Sequence, residues 1–153
     1  MAQAPGRRAH EAGKPFADPS GDRLRNWLGV NEEVFYDEER VAIFGMGLCF
    51  PGTGTSGDLP PRPECAPTWH EQLIRSLPDV AMTLLVGQYA HRCYLGGALS
   101  VSEAVASWRD WWPAIVPLPH PSWRNNGWLR RNPWFDDELI PELRAAVSGI
   151  LGT

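Results

Sequence analysis

Apolar residues fall into short, separated runs along this chain, and the spacing inside each run predicts its element. Val41–Met46 (Val-Ala-Ile-Phe-Gly-Met) and Val80–Val86 (Val-Ala-Met-Thr-Leu-Leu-Val) are compact apolar stretches, which predict buried strands. Ala114–Leu118 is a shorter run of the same kind and leads into Pro119-His120-Pro121-Ser122. Between these runs the apolar positions recur at helical spacing. Leu24, Trp27 and Leu28 share one face of a helix that starts at Ser20, a good N-cap, and stops at Gly29. Asn31 caps a short second helix through Phe35 and Tyr36. Trp69, Leu73 and Leu77 mark a helix from Cys65 to Leu77. Gly87 opens another through Leu95, with Cys93 on its apolar face as a core residue. Ser102 caps a helix carried by Glu103 to Trp112, and the last helix runs from Pro133, a good N1 residue, to Gly149. Residues 1–19 are polar and rich in Gly and Pro and are expected as loop, as is Phe50–Pro63 with its four Pro.

Strands that are apolar throughout and alternate with helices form a parallel sheet covered on both faces. The expected fold is therefore α/β: a three-layer αβα sandwich around a central, mainly parallel four-stranded sheet. Ligands of such sheets bind at the carboxyl ends of the strands. Here those ends carry Gly45–Pro51, Gly87-Gln88 and His120-Pro121-Ser122. A length of 153 residues suits one domain spanning 1–153.

The net charge of −4 gives no global basic signature, so any nucleic-acid contact rests on a local patch. Thirteen of the fourteen cations are Arg, the better phosphate fork. Cys49, Cys65 and Cys93 are an odd number without dense spacing, which argues against a disulfide scaffold and for a reducing compartment. No apolar run approaches membrane-spanning length, and no signal-like stretch follows Met1. The expectation is a soluble, cytoplasmic monomer that does not engage a membrane.

Three ordered segments add chemistry. The first is Gln3-Ala4-Pro5-Gly6, followed by Gly13-Lys14-Pro15-Phe16 and Pro19-Ser20-Gly21-Asp22-Arg23-Leu24. The second is the Val41–Pro51 strand-loop with Cys49, and the third is His120-Pro121-Ser122. Together they resemble the uracil-DNA glycosylase superfamily, closest to the iron–sulfur type known as family 4, over roughly residues 3–148. The resemblance implies a glycosylase of base excision repair that flips a damaged base out of DNA into a pocket. It makes Phe16 the residue that stacks on the base. It makes His120 the donor to the charge that grows on the departing base. Ser122, Arg124, Asn125 and Arg130 become DNA contacts, and a Trp or Leu of Trp123–Arg131 enters the space left by the base. That segment holds three Arg, two Trp and no acidic residue.

The chain also departs from the pattern. Gln3 stands where the family has an acidic residue, and an amide cannot serve as a general base. Gly45 stands where a base-reading Asn is expected, so base identity is open; Gln88 is an alternative amide donor. Cys49 and Cys65, with fifteen residues between them, match the last two cluster ligands of the iron–sulfur type. A cubane needs four thiolates, so no cluster is expected in this chain, and a [4Fe-4S] cluster belongs to a full-length form. The family's Cys-x-x-Cys and first apolar strand would lie upstream of Gln3. The expectation is thus an N-terminally truncated member, its first strand missing or incomplete, through a misassigned start or a degraded copy. Two other readings remain: a catalytically impaired DNA- or nucleotide-binding relative, and an unrelated α/β interaction protein presenting its Trp-rich 108–134 region.

Overall fold

Leucine and β-branched residues at 83–86 and 115–118 extend and pair, as their composition favours. In the computed structural model, which describes residues 1–153, the elements in chain order are α1 (Arg7–Ala12), α2 (Pro19–Leu28), α3 (Glu32–Phe35), a hairpin of β1 (Thr53–Gly54) and β2 (Gly57–Asp58), α4 (Cys65–Ser76), β3 (Thr83–Val86), α5 (Gln88–Tyr94), α6 (Val101–Ala106), β4 (Ile115–Leu118), α7 (Asn126–Arg131) and α8 (Ile140–Leu151). They gather into two compact units: Met1–Ala17 with Ile43–His120, and Asp18–Ala42 with Pro121–Thr153.

In the first unit β3 and β4 run parallel, with Thr83 opposite Ile115 and Val86 opposite Leu118. Thr83 N–H donates to the Ala114 carbonyl at 2.8 Å and Gly87 N–H to that of Leu118 at 2.9 Å, so even-numbered residues of β4 face β3. Pro117 and Pro119 take outward-facing positions, where no amide is required of them. On the other side of β3 lies the start of the chain. The Met1 amino group donates to the Leu84 carbonyl at 2.7 Å, and Val86 N–H donates to the Met1 carbonyl at 2.8 Å. Across from β3, Ala2 N–H donates to Phe44 at 3.1 Å, Met46 N–H to Ala2 at 2.8 Å and Gly47 N–H to Gln3 at 2.8 Å. The hydrogen-bonded order is therefore Phe44–Gly47, Met1–Gln3, β3, β4. Helix α5 packs on β3 and α6 on β4. Leu85, Ala90, Ala104, Val105, Val116 and Leu118 have no exposure, and Trp108 almost none.

In the second unit α2 packs on α8. Trp27 meets Phe135 edge-on with ring centres 5.0 Å apart. The Arg144 guanidinium gives two hydrogen bonds, at 3.1 and 2.8 Å, to the Asn26 carbonyl, one of the groups that the end of α2 leaves without a helical partner. A wider π turn at Phe135–Leu139 precedes α8. Pro141 has no N–H to give Asp137, and the wide turn spares its ring that carbonyl.

Several expectations change. Val41–Met46 forms no strand; its only bridged residue is Gly45, and Ala42 is exposed, so the run lacks the ladder that a strand needs. Residues 1–19 hold α1 as well as loop, and Phe50–Pro63 folds back as the β1–β2 hairpin. Helix α2 is capped by Asp18, whose carboxylate accepts from Gly21 N–H at 3.0 Å, so it starts at Pro19. Ser100, not Ser102, caps α6, in a reciprocal box with Glu103. Val80 is 54% exposed, and β3 starts later than expected. Cys93 is exposed on α5 and is not a core residue. Asn31, by contrast, caps α3 as expected, accepting from Val34 N–H at 2.9 Å.

Met1 is half-buried as a residue, but its amino nitrogen is enclosed, and burial pulls its pKa from 8.0 down to about 5. The unfolded chain then binds more protons between those values. With a free amine at Met1, stability should be full above pH 8 and fall as the pH drops towards 5, by a few kcal/mol at about 1.4 kcal/mol per unit. Urea midpoints measured across pH 5–9 check this, and acetylating the amine should flatten that part of the profile.

Candidate active site

The carboxyl ends of the four hydrogen-bonded segments hold Gln3, Gly45, Gly87 and His120, all in the first unit. Two close approaches define them. Gly87 ends β3 at φ +86 and caps α5, and a Cβ there would lie 3.3 Å from His120 Cβ. The end of β3 thus sits directly against His120, and Gln88 follows as the exposed first residue of α5. His120 is half-buried between Pro119 and Pro121, both buried, so its backbone has little freedom.

The second approach is between Gln3 and Gly45. A Cβ on Gly45 would lie 2.8 Å from the Gly47 carbonyl oxygen and 3.0 Å from that of Gln3. Both obstacles are backbone, so position 45 holds no side chain while the Ala2–Gly45 bridge is intact. Gly45 contributes peptide groups alone. Its carbonyl accepts from His70 Nε2 at 2.9 Å, and His70 Nδ1 lies 2.6 Å from the Tyr94 hydroxyl. Phe16, half-buried after Pro15, is the one non-glycine residue with positive φ, at 57°. A bulky residue is rarely held there without a reason in its surroundings.

The residues expected at DNA fall in the second unit. The Ser122 carbonyl accepts from Arg23 at 3.2 Å and from Asn125 N–H at 3.1 Å, which pins the turn at Trp123–Asn125. Trp123 is 74% exposed, with the Arg124 guanidinium 5.9 Å from its ring centre. Trp128 instead packs inward, edge-on to Trp134 at 6.0 Å and to Phe135 at 5.7 Å. Of the two tryptophans in this segment, only Trp123 is presented outward. Arg124 and Arg130 are exposed, and Asn125 is half-buried.

Cys49 is an exposed free thiol and Cys65 a half-buried one. No three His, Cys, Asp or Glu side chains gather where they could hold a metal ion. Cys49 and Cys65 supply two of the four thiolates that a cubane takes.

Two buried histidines escaped the sequence. His70 belongs to the stripe Ala66, His70, Leu73, Leu77 on α4, whereas Trp69 is 48% exposed. Of the Trp69–Leu73–Leu77 set only Trp69 lies off the buried face, and helical spacing back from Leu73 and Leu77 held the only signal for His70. His91, on α5, is 1% exposed; its Nε2 lies 2.9 Å from the Leu85 carbonyl. Burial pushes its pKa down, so it stays neutral with Nε2–H donating.

Gly45→Ala should destabilise the protein by about 1–3 kcal/mol, because the added methyl must displace backbone. Gly149→Ala is the control: it lies within α8 without a left-handed φ, and its added Cβ meets nothing within 4 Å. Chemical denaturation of both variants checks the comparison, and a Gly45→Ala no less stable than the control counts against the crowding described. A family model for the uracil DNA glycosylase superfamily matches residues 1–144.

Proposed function

The chain belongs to the uracil DNA glycosylase superfamily, and from that membership we propose that it hydrolyses the N-glycosidic bond of uracil or a related damaged base in DNA. The observation that carries the reading is the seat of His120, pressed against Gly87 at the ends of β3 and β4 and flanked by two buried prolines. A donor fixed in advance stabilises a developing charge without reorganising during the reaction. On this reading the flipped base stacks on Phe16, and His120 donates to the anion that forms as the bond to the sugar breaks. Water then adds to the oxocarbenium-like sugar.

Gln3 cannot take a proton from that water. The proposed enzyme therefore relies on leaving-group stabilisation more than on base catalysis. Gly45 offers the base only peptide groups, which favours tolerance for more than one base, and Gln88 is the amide placed to add a selective contact. Ser122, Arg124, Asn125 and Arg130 would hold the phosphates, with Trp123 entering the gap in the duplex. We take the segments Phe44–Gly47, Met1–Gln3, β3 and β4 as the superfamily's four-stranded parallel sheet. The proposed enzyme works as a monomer and without a cluster.

Incubation with uracil-containing single- and double-stranded oligonucleotides, followed by alkali, should yield strand breaks at abasic sites. His120→Ala should slow base release by about 10²-fold or more while leaving DNA affinity in place. Full activity in that variant would end the assignment of His120. Arg124→Ala should lower the slope of log affinity against log salt by about one. Salt-sensitive binding with no abasic product would instead identify a DNA-binding relative that has lost its chemistry.

A further inference from the structure

We propose that His70, backed by Tyr94, is a positioning residue that holds the Gly45 peptide in place for base recognition. The inference rests on the reading above, in which Gly45 faces the base. A side chain reaches a base through its own rotamers, but position 45 has none and admits none. Whatever Gly45 presents is set by the orientation of its peptide planes alone. Those planes are gripped from two sides. On one side Ala2 bridges Gly45, with Met46 N–H donating to the Ala2 carbonyl at 2.8 Å. On the other, His70 Nε2 binds the Gly45 carbonyl at 2.9 Å.

Hydrogen-bond polarity settles the arrangement of protons. A carbonyl only accepts, so Nε2 carries the hydrogen. In the neutral ring Nδ1 is then a lone pair, and the Tyr94 hydroxyl, 2.6 Å away, is its donor. Burial pushes the Tyr94 pKa up to about 12, so its proton stays in place at any working pH. The imidazole is only 5% exposed, lies nearly parallel to the Tyr94 ring at 6.0 Å, and meets Phe44 edge-on at 5.3 Å. One ring from α4 thus fixes both the carbonyl of Gly45 and the side chain before it. Phe44, Gly45 and His70 come from two segments that no sequence spacing joins. Nor does the catalytic reading use His70 or Tyr94.

Three variants test the role. His70→Phe keeps an aromatic ring and loses both bonds. Tyr94→Phe removes only the hydroxyl. His70→Gln offers one donor and one acceptor in a single amide. His70→Phe should raise KM and weaken binding of free uracil about tenfold or more, the effect of leaving a buried carbonyl unpaired. Its affinity for abasic-site DNA should stay within about twofold, since phosphate contacts set that affinity. Tyr94→Phe should move the base-binding readouts in the same direction by about threefold, and His70→Gln should recover to within about threefold of the parent. Imidazole nitrogen NMR of the parent protein should show Nε2 protonated and Nδ1 bare.

A folded His70→Phe with unchanged KM and uracil affinity overturns the proposal. So does an equal loss of uracil and abasic-DNA binding, which marks a merely structural residue. Should His70→Phe not fold, Tyr94→Phe and the NMR tautomer decide: an Nδ1-protonated ring overturns it. A parent protein that binds uracil but releases none from DNA ends the glycosylase reading, and the uracil affinities of the variants still judge His70. A parent with no affinity for free uracil overturns the positioning role.

Discussion

Everything at the candidate site depends on three residues, Met1–Gln3, being hydrogen-bonded on both edges. One edge binds Leu84 and Val86 of β3; the other binds Phe44, Met46 and Gly47. No regular ladder spans this junction, so a handful of backbone bonds sets the register of the segments flanking it. Those bonds bring Gln3, Gly45 and the end of β3 to the same edge, and β4 adds His120. A one-residue slip would turn side chains to the opposite face and change which carbonyls meet. The buried amino group of Met1 belongs to the same junction, and this is why its ionisation is tied to folding.

The site is built as much from missing side chains as from present ones. At Gly87 the empty Cβ position is what lets β3 end against His120. At Gly45 the crowding comes from carbonyl oxygens of Gly47 and Gln3, so the vacancy is enforced by the bridge beside it. What position 45 presents is a peptide whose geometry is inherited from its neighbours. Such a surface has few ways to adjust, and its quality is decided by what grips it. His120 is treated similarly, with two buried prolines limiting its backbone.

Much of this was legible in the sequence where a local rule governs. The runs around Leu85 and Val116 became paired parallel strands, and Asn31 capped its helix, because apolar burial and capping act over a few residues. His120, Gly87 and Gln88 were placed at strand ends by the same logic. What stayed hidden depends on contacts between distant segments. Val41–Met46 has the composition of a strand, but a strand also needs a partner, and the run is bridged at Gly45 alone. The burial of His70 depends on the exact angle of α4 against its neighbours: Leu73 and Leu77 mark the buried face, but Trp69 beside His70 lies off it. Trp123 and Trp128 have similar local surroundings; only the packing of Trp128 against Phe135 separates them. The exclusion of a side chain at position 45 comes from Gln3 and Gly47, which no motif links.

Pro117 and Pro119 stand on the side of β4 away from β3, and both are fully buried. A strand edge with free amides is a template on which another chain can add itself, by domain swapping or by fibril growth. Here the edge is withheld twice: two successive positions on it carry no amide to donate, and the chain's own packing covers them. Another copy of the chain meets no open ladder to extend on this side of the sheet.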